Sequence, residues 1–210
     1  MHRLRVGFLS IQNYLDRNAW SGTLYSMQKA LKAREIEVVY LGELKQASFA
    51  EKVLRRIWKK NQRLKIGSPD YIAKYKKFAE IAQRKLAQTP CDVIFAPVAA
   101  AELTFFETDI PIIYLSDATF KLYSQYYSLN LDQQETEGSE NREIIANAKA
   151  SKIIFSSQWA ANSAIADYGV DVDKIAVFPF GANLDAPPAA KEVFLQRNAS
   201  SCRLLFVGKD

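Results

Sequence analysis

Short apolar runs alternate with longer stretches of helical periodicity along this chain. Residues 4–10 (LRVGFLS), 36–42 (IEVVYLG), 91–96 (CDVIFA), 111–116 (PIIYLS), 151–156 (SKIIFS) and 174–181 (KIAVFPFG) each read as a strand ending in a turn. Between them, residues 22–34 place Leu24, Met27 and Leu31 on one helical face. A second helical pattern runs through Trp159, Ala161, Ile165 and Tyr168. Ser157 has the side chain of a helix cap, and Gly169 can stop the helix in a left-handed conformation. The alternation predicts an α/β fold: a Rossmann-like parallel sheet with helices on both faces. Ligands of such sheets bind beyond the carboxyl ends of the strands, so the residues just after each strand are the candidates for chemistry.

Two segments depart from the alternation. Residues 44–88 look mostly helical and are rich in Lys and Arg. Residues 128–143 (SLNLDQQETEGSENRE) are polar and acidic, and Gly138 is expected to divide a loop from the following helix. The paired prolines of DAPPAAK (185–191) mark a linker. After it, Leu204 to Val207 form another strand-type run, and Gly208 opens a turn. The expected division is a Rossmann-like domain at 1–184, a linker at 185–202, and the first strand of a second, cut-short domain at 203–210.

Composition narrows the classes. Of 210 residues, 49% are hydrophobic and 12% aromatic, enough to bury a sizeable core and to set disorder aside. A net charge of +5 favours anionic partners without choosing among nucleotides, sugar phosphates, acidic lipid surfaces and nucleic acid. The two cysteines, Cys91 and Cys202, have no zinc spacing and form no disulfide framework, which points to a reducing cytoplasm. Residues 4–11 are too short and too broken for a signal peptide, and no stretch reaches the length of a membrane span. His2 is the only histidine. A Ser-His-Asp triad, an internal histidine base and most catalytic zinc sites are therefore excluded. Chemistry is left to carboxylates, lysines, backbone dipoles and the substrate.

Five places could carry it. Ser21, Gly22 and Thr23 open a helix after a long first loop that is not G-x-G-x-x-G, so a dehydrogenase-type dinucleotide site is not expected. Either their free N–H groups receive an anion, or Ser21 caps the helix and Gly22 eases a turn. Asp117 follows the 111–116 strand, where it can bind a sugar hydroxyl, act in catalysis, or cap the next turn through Ala118 and Thr119. Ser157 and Trp159 sit near the same edge; the simpler reading is that Ser157 caps and Trp159 packs. Gly181 and Asn183 lie in FPFGANLD at a domain border, where Gly181 permits a turn that a side chain would hinder. Residues 51–65 place Val53, Leu54, Ile57 and Trp58 against a basic face. They suit a helix on an anionic membrane surface, a nucleic-acid stripe, or a core-facing helix with a solvated basic side.

Together these segments resemble the family 4 glycosyltransferases, a large retaining group with the GT-B fold. Residues 156–185 are similar to the end of that family's N-terminal domain: Ser157, a helix, Tyr168-Gly169, then a strand ending in Pro179, Gly181 and Asn183. RLLFVGKD resembles the first strand of the family's C-terminal domain, with Lys209 where Arg is common. WSGT resembles its glycine-containing first loop. The resemblance implies two Rossmann-like domains facing across a cleft, the first receiving the acceptor and the second a nucleotide-sugar such as a UDP- or GDP-sugar. It implies that the Gly22 loop approaches the donor phosphates or the acceptor, and that Lys209 lies at the donor pyrophosphate, where a fixed cation stabilises the departing nucleotide. Asp117 stands where many members have His, so that histidine's role does not carry over. Retaining members use the donor phosphate to accept the incoming hydroxyl's proton, so neither metal nor cofactor is expected.

The expected function is the acceptor-side domain of a retaining glycosyltransferase, inactive as residues 1–210 alone. Its partners would be a nucleotide-sugar donor and a glycan, lipid or small-molecule acceptor, not nucleic acid. Its place would be the cytoplasm, with peripheral contact at the inner membrane face through 51–65. The alternatives are a non-catalytic Rossmann-like module that holds a nucleotide or sugar, and a GT-B nucleotide-sugar epimerase, which the missing internal histidine disfavours.

Overall fold

A computed structural model describes residues 3–42, 65–127 and 129–183. The basic segment 51–65, apart from Lys65, lies outside the described residues, as do the 185–202 linker and the 203–210 strand with Lys209. All six expected strands form: β1 (Arg5–Phe8), β2 (Glu37–Tyr40), β3 (Val93–Pro97), β4 (Ile112–Ser116), β5 (Lys152–Phe155) and β6 (Ile175–Val177). They make one parallel sheet in the order β2-β1-β3-β4-β5-β6.

The described helices are α1 (Thr23–Ala33), α2 (Pro69–Gln88), α3 (Ala100–Leu103), α4 (Phe120–Tyr126), α5 (Gln133–Lys149) and α6 (Gln158–Tyr168). Helices cover both faces of the sheet, which is why the strands read as nearly continuous apolar runs. On one face Phe8 and Tyr40 pack with Leu24 of α1, and Phe95 joins them. On the other, Ile94, Ala96, Ile112, Tyr114 and Ile153 belong to the larger core with Phe78, Ala79 and Ala82 of α2 and Ala146 of α5. No helix among the described residues is long and apolar enough to cross a membrane.

Ser157 caps α6 as expected, accepting a hydrogen bond from Ala160 N at 3.2 Å, and Gly169 ends that helix with φ +62°. Three expectations change. The strand expected at 174–181 pairs only over Ile175–Val177, with a last ladder bond from Phe178 N to Phe155 O at 2.9 Å. Beyond it no ladder bond forms among the described residues, and the chain runs into Pro179, a residue confined to strand ends and edges. Gly138 divides nothing; it lies inside α5, which starts earlier through a capping box. Asp132 accepts from Glu135 N at 2.9 Å, and Glu135 accepts from Asp132 N at 3.3 Å. Trp159 does not pack inside; it is 52% exposed.

Candidate functional site

The strand order reverses at β1: the chain leaves it for β2 on one side and returns to β3 on the other. Loops leaving β1 and β3 therefore diverge, and a crevice opens at their carboxyl ends. A cavity of about 310 Å³ occupies this place. Ile11 and Gln12 border it from the loop after β1, Val98, Ala100, Ala101 and Glu102 from the segment after β3, and Ser116 to Phe120 from the end of β4 and the turn after it. Ser139, Arg142 and Glu143 of α5 form another wall.

Two side chains fix the first loop. The Tyr40 hydroxyl lies 2.9 Å from Ser10 O and 2.7 Å from Gln12 O, and Glu102 Oε1 accepts from Ile11 N at 2.9 Å. Glu102 is 4% exposed. Burial pushes its carboxyl up to about 7, against the opposing Ile11 N–H bond. Glu143 is 5% exposed. It is also pushed up to about 7, by burial first and by Glu140 second, while Arg142 and the Phe120 N–H oppose the shift. Its Oε1 is buried and has no hydrogen-bond partner among the described residues. Arg142 is held by Ser139 Oγ at 2.7 Å, by Gly138 O at 3.1 Å and by the Tyr71 hydroxyl. Burial lowers its pKa. The site thus offers two buried carboxyls poised between charge states and one fixed guanidinium.

Asp117 lies on the rim of this cavity and is exposed. It does not cap the following turn. Thr119 caps α4, accepting from Leu122 N at 3.3 Å, and Ser116 Oγ donates to Ala118 O at 2.7 Å. The Asp117 side chain has no hydrogen bond among the described residues; only its carbonyl accepts, from Ser156 Oγ at 3.4 Å.

Ser21, Gly22, Thr23 and Asn183 meet at a second place. Asn183 Nδ2 donates to Ser21 O at 3.0 Å and to Thr23 Oγ1 at 3.2 Å, joining residues 162 and 160 positions apart. Trp20 and Phe180 pack edge to face with ring centroids 5.3 Å apart. Ser21 does not cap α1. Trp20, Ser21 and Gly22 are consecutive left-handed residues, with φ of 44°, 54° and 80°, and Gly22 itself is the N-cap. For two non-glycine residues this conformation is strained, a feature that gathers at binding and switch segments. A cavity of about 360 Å³ lies beside the loop, bordered by Arg17, Ser21, Gly22, Lys29 and Asn183. It is the larger of the two, but the crevice has the buried ionisable groups and the position that parallel sheets use for ligands.

Gly181 has open space where a Cβ would stand and no left-handed φ, so the turn expected there does not require glycine. Ser157 borders neither cavity. Among the described residues no cluster of His, Cys, Asp or Glu has the arrangement of a metal site.

Sequence reasoning missed Glu102, Arg142 and Glu143. Glu102 was accessible to the rule already in use, since it follows β3 within the VAAAEL stretch. Glu143 needed α5 to be read as a helix from Asp132: Glu135, Ser139 and Glu143 then fall at successive i, i+4 positions, and all three are buried. The sequence matches no protein-family model and no curated protein at significant similarity.

Proposed function

We propose that this chain is the acceptor-side domain of a retaining GT-B glycosyltransferase that moves a sugar from a nucleotide-sugar, such as a UDP- or GDP-sugar, to a hydroxyl acceptor. The observation that carries the reading is the crevice at the carboxyl ends of β1, β3 and β4, with Glu102 and Glu143 buried in its wall and Asp117 exposed at its rim. Hydroxyl-rich ligands need such a site: several convergent acceptors and donors at the open end of a rigid sheet. The Asn183 clamp on the Ser21–Thr23 loop adds support, because it joins two segments that carry the family resemblance, the glycine-containing first loop and the Pro-x-Gly-x-Asn end of the domain.

In this reading the crevice orients the acceptor hydroxyl and Asp117 contacts the transferred sugar. The left-handed loop presents its backbone to the donor phosphates, and Lys209 reaches the pyrophosphate. A donor phosphate oxygen takes the proton of the attacking hydroxyl, so no protein base is required. Contact with a membrane surface through 51–65 belongs to the same proposal.

The test uses the reading frame that contains residues 1–210, incubated with UDP- and GDP-hexoses and a panel of hydroxyl acceptors. The new linkage is assigned by NMR of its anomeric proton. Transfer with the donor's anomeric configuration kept supports the proposal. Inversion, or release of nucleotide with no glycoside formed, overturns it. Residues 1–210 alone are expected to transfer nothing and to show weak heats with UDP or GDP in calorimetry.

A further inference from the structure

A row of exposed tyrosines leads out of the crevice. Tyr123, Tyr126 and Tyr127 are 47%, 73% and 61% exposed. Tyr123 borders the cavity, lies 4.8 Å from Tyr127 between ring centroids, and Tyr127 lies 5.1 Å from Tyr126. Single exposed apolar residues need no explanation, but three large rings in contact, continuous with a polar cavity, do. The rings stand on a fixed base. Thr119 Oγ1 lies 2.8 Å from Ser163 Oγ, Lys121 N donates to the Tyr168 hydroxyl at 3.0 Å, and Lys121 pairs with Asp167 at 2.6 Å, so α4 is pinned to α6.

At the inner end is the independent sign of a ligand. Glu143 borders the cavity while its buried Oε1 lacks a partner among the described residues. An unmet buried acceptor is costly, and of the side chains with such an atom among the described residues Glu143 is the one that borders this cavity. From the geometry we infer that the acceptor is a neutral oligosaccharide, whose terminal residue hydrogen-bonds Glu143 in the crevice while the preceding sugar units stack on Tyr123, Tyr127 and Tyr126. A sugar ring has an apolar C–H face and a hydroxyl edge, and tyrosine likewise combines an apolar ring with a polar tip. A cavity lined by buried carboxyls and by Tyr123, with Tyr127 and Tyr126 continuing from it, matches that double character. An anionic membrane is the poorer occupant. On helix α5, which walls the same cavity, Glu135 and Glu143 are buried, Glu137 and Glu140 stand against Arg142, and Lys121 of α4 is paired with Asp167, so this face has no excess of positive charge to attract acidic headgroups.

The inference deepens the acceptor-site reading, yet its test is a binding measurement that needs no turnover. A neutral glycan array, including maltotetraose and cellotetraose, is probed with residues 1–210, and affinities for the bound glycan and for its terminal monosaccharide are then compared. The oligosaccharide is expected to bind at least tenfold tighter than the monosaccharide. Tyr126→Ala with Tyr127→Ala should lower oligosaccharide affinity about tenfold, from loss of two stacking rings, and leave the monosaccharide unchanged. Because both rings are exposed, this variant keeps its core. Glu143→Leu, checked for folding by circular dichroism, should weaken both ligands. The inference is overturned if no neutral glycan binds, if the tyrosine variant binds as the parent does, or if these tyrosines instead govern sedimentation with phosphatidylglycerol vesicles. Glycan binding without sugar transfer by the reading frame would keep this inference and remove the transferase proposal.

Discussion

At the residue scale, Glu143 combines deep burial, an unmet oxygen and a carboxyl pushed up to about 7 from 4.5. Its effect on stability has a definite sign. Between about pH 4.5 and 7 the folded carboxyl holds a proton that the unfolded chain has released, so stability falls as pH rises through that window. Glu102 contributes in the same direction over the same window. Glu143→Gln removes one ionisation and should flatten the fall. Thermal melts are expected to match the parent near pH 5 and to exceed it by about 3–6 °C at pH 8. Equal melting temperatures at pH 8 would mean that the carboxyl is solvated and ionises without cost. Glu143 was hidden in the sequence because an acidic stretch reads as a solvated surface, and only the helical register of α5 turns it inward. Asp117 was visible because its position depends on strand and turn alone.

At the element scale, the strands were legible because parallel strands buried on two faces are plain apolar runs with turns after them. Their ends were less so. Pairing in β6 stops before Pro179, which the apolar run through Phe180 concealed. In helix α5 the Asp132–Glu135 capping box outweighs Gly138, the stronger local break signal six positions later. That glycine is a helix-interior residue with ordinary space beside it: an added Cβ would lie 3.7 Å from Ile66 Cγ2. Gly138→Ala is therefore expected to stabilise the chain by about 0.5–1 kcal/mol in urea unfolding, through helix propensity. A loss of stability would show that the helix needs the closer approach. The loop before α1 was the least legible element. Its run of left-handed residues at Trp20 and Ser21 follows from no local preference and is held by distant partners, Asn183 and Phe180.

At the scale of the whole molecule, the strand order sets out two places that the linear sequence mixes together. The crevice draws on loops after β1, β3 and β4, while the Asn183 clamp joins the start of α1 to the segment after β6. In the proposed transferase the first would take the acceptor and the second the donor. Steady-state kinetics of the reading frame separate them most directly, with Glu143→Leu and Asn183→Ala compared against the parent for both substrates. Glu143→Leu is expected to raise the acceptor KM about tenfold with the donor KM unchanged, and Asn183→Ala to do the reverse. Donor KM rising with Glu143→Leu, or acceptor KM rising with Asn183→Ala, would contradict that assignment.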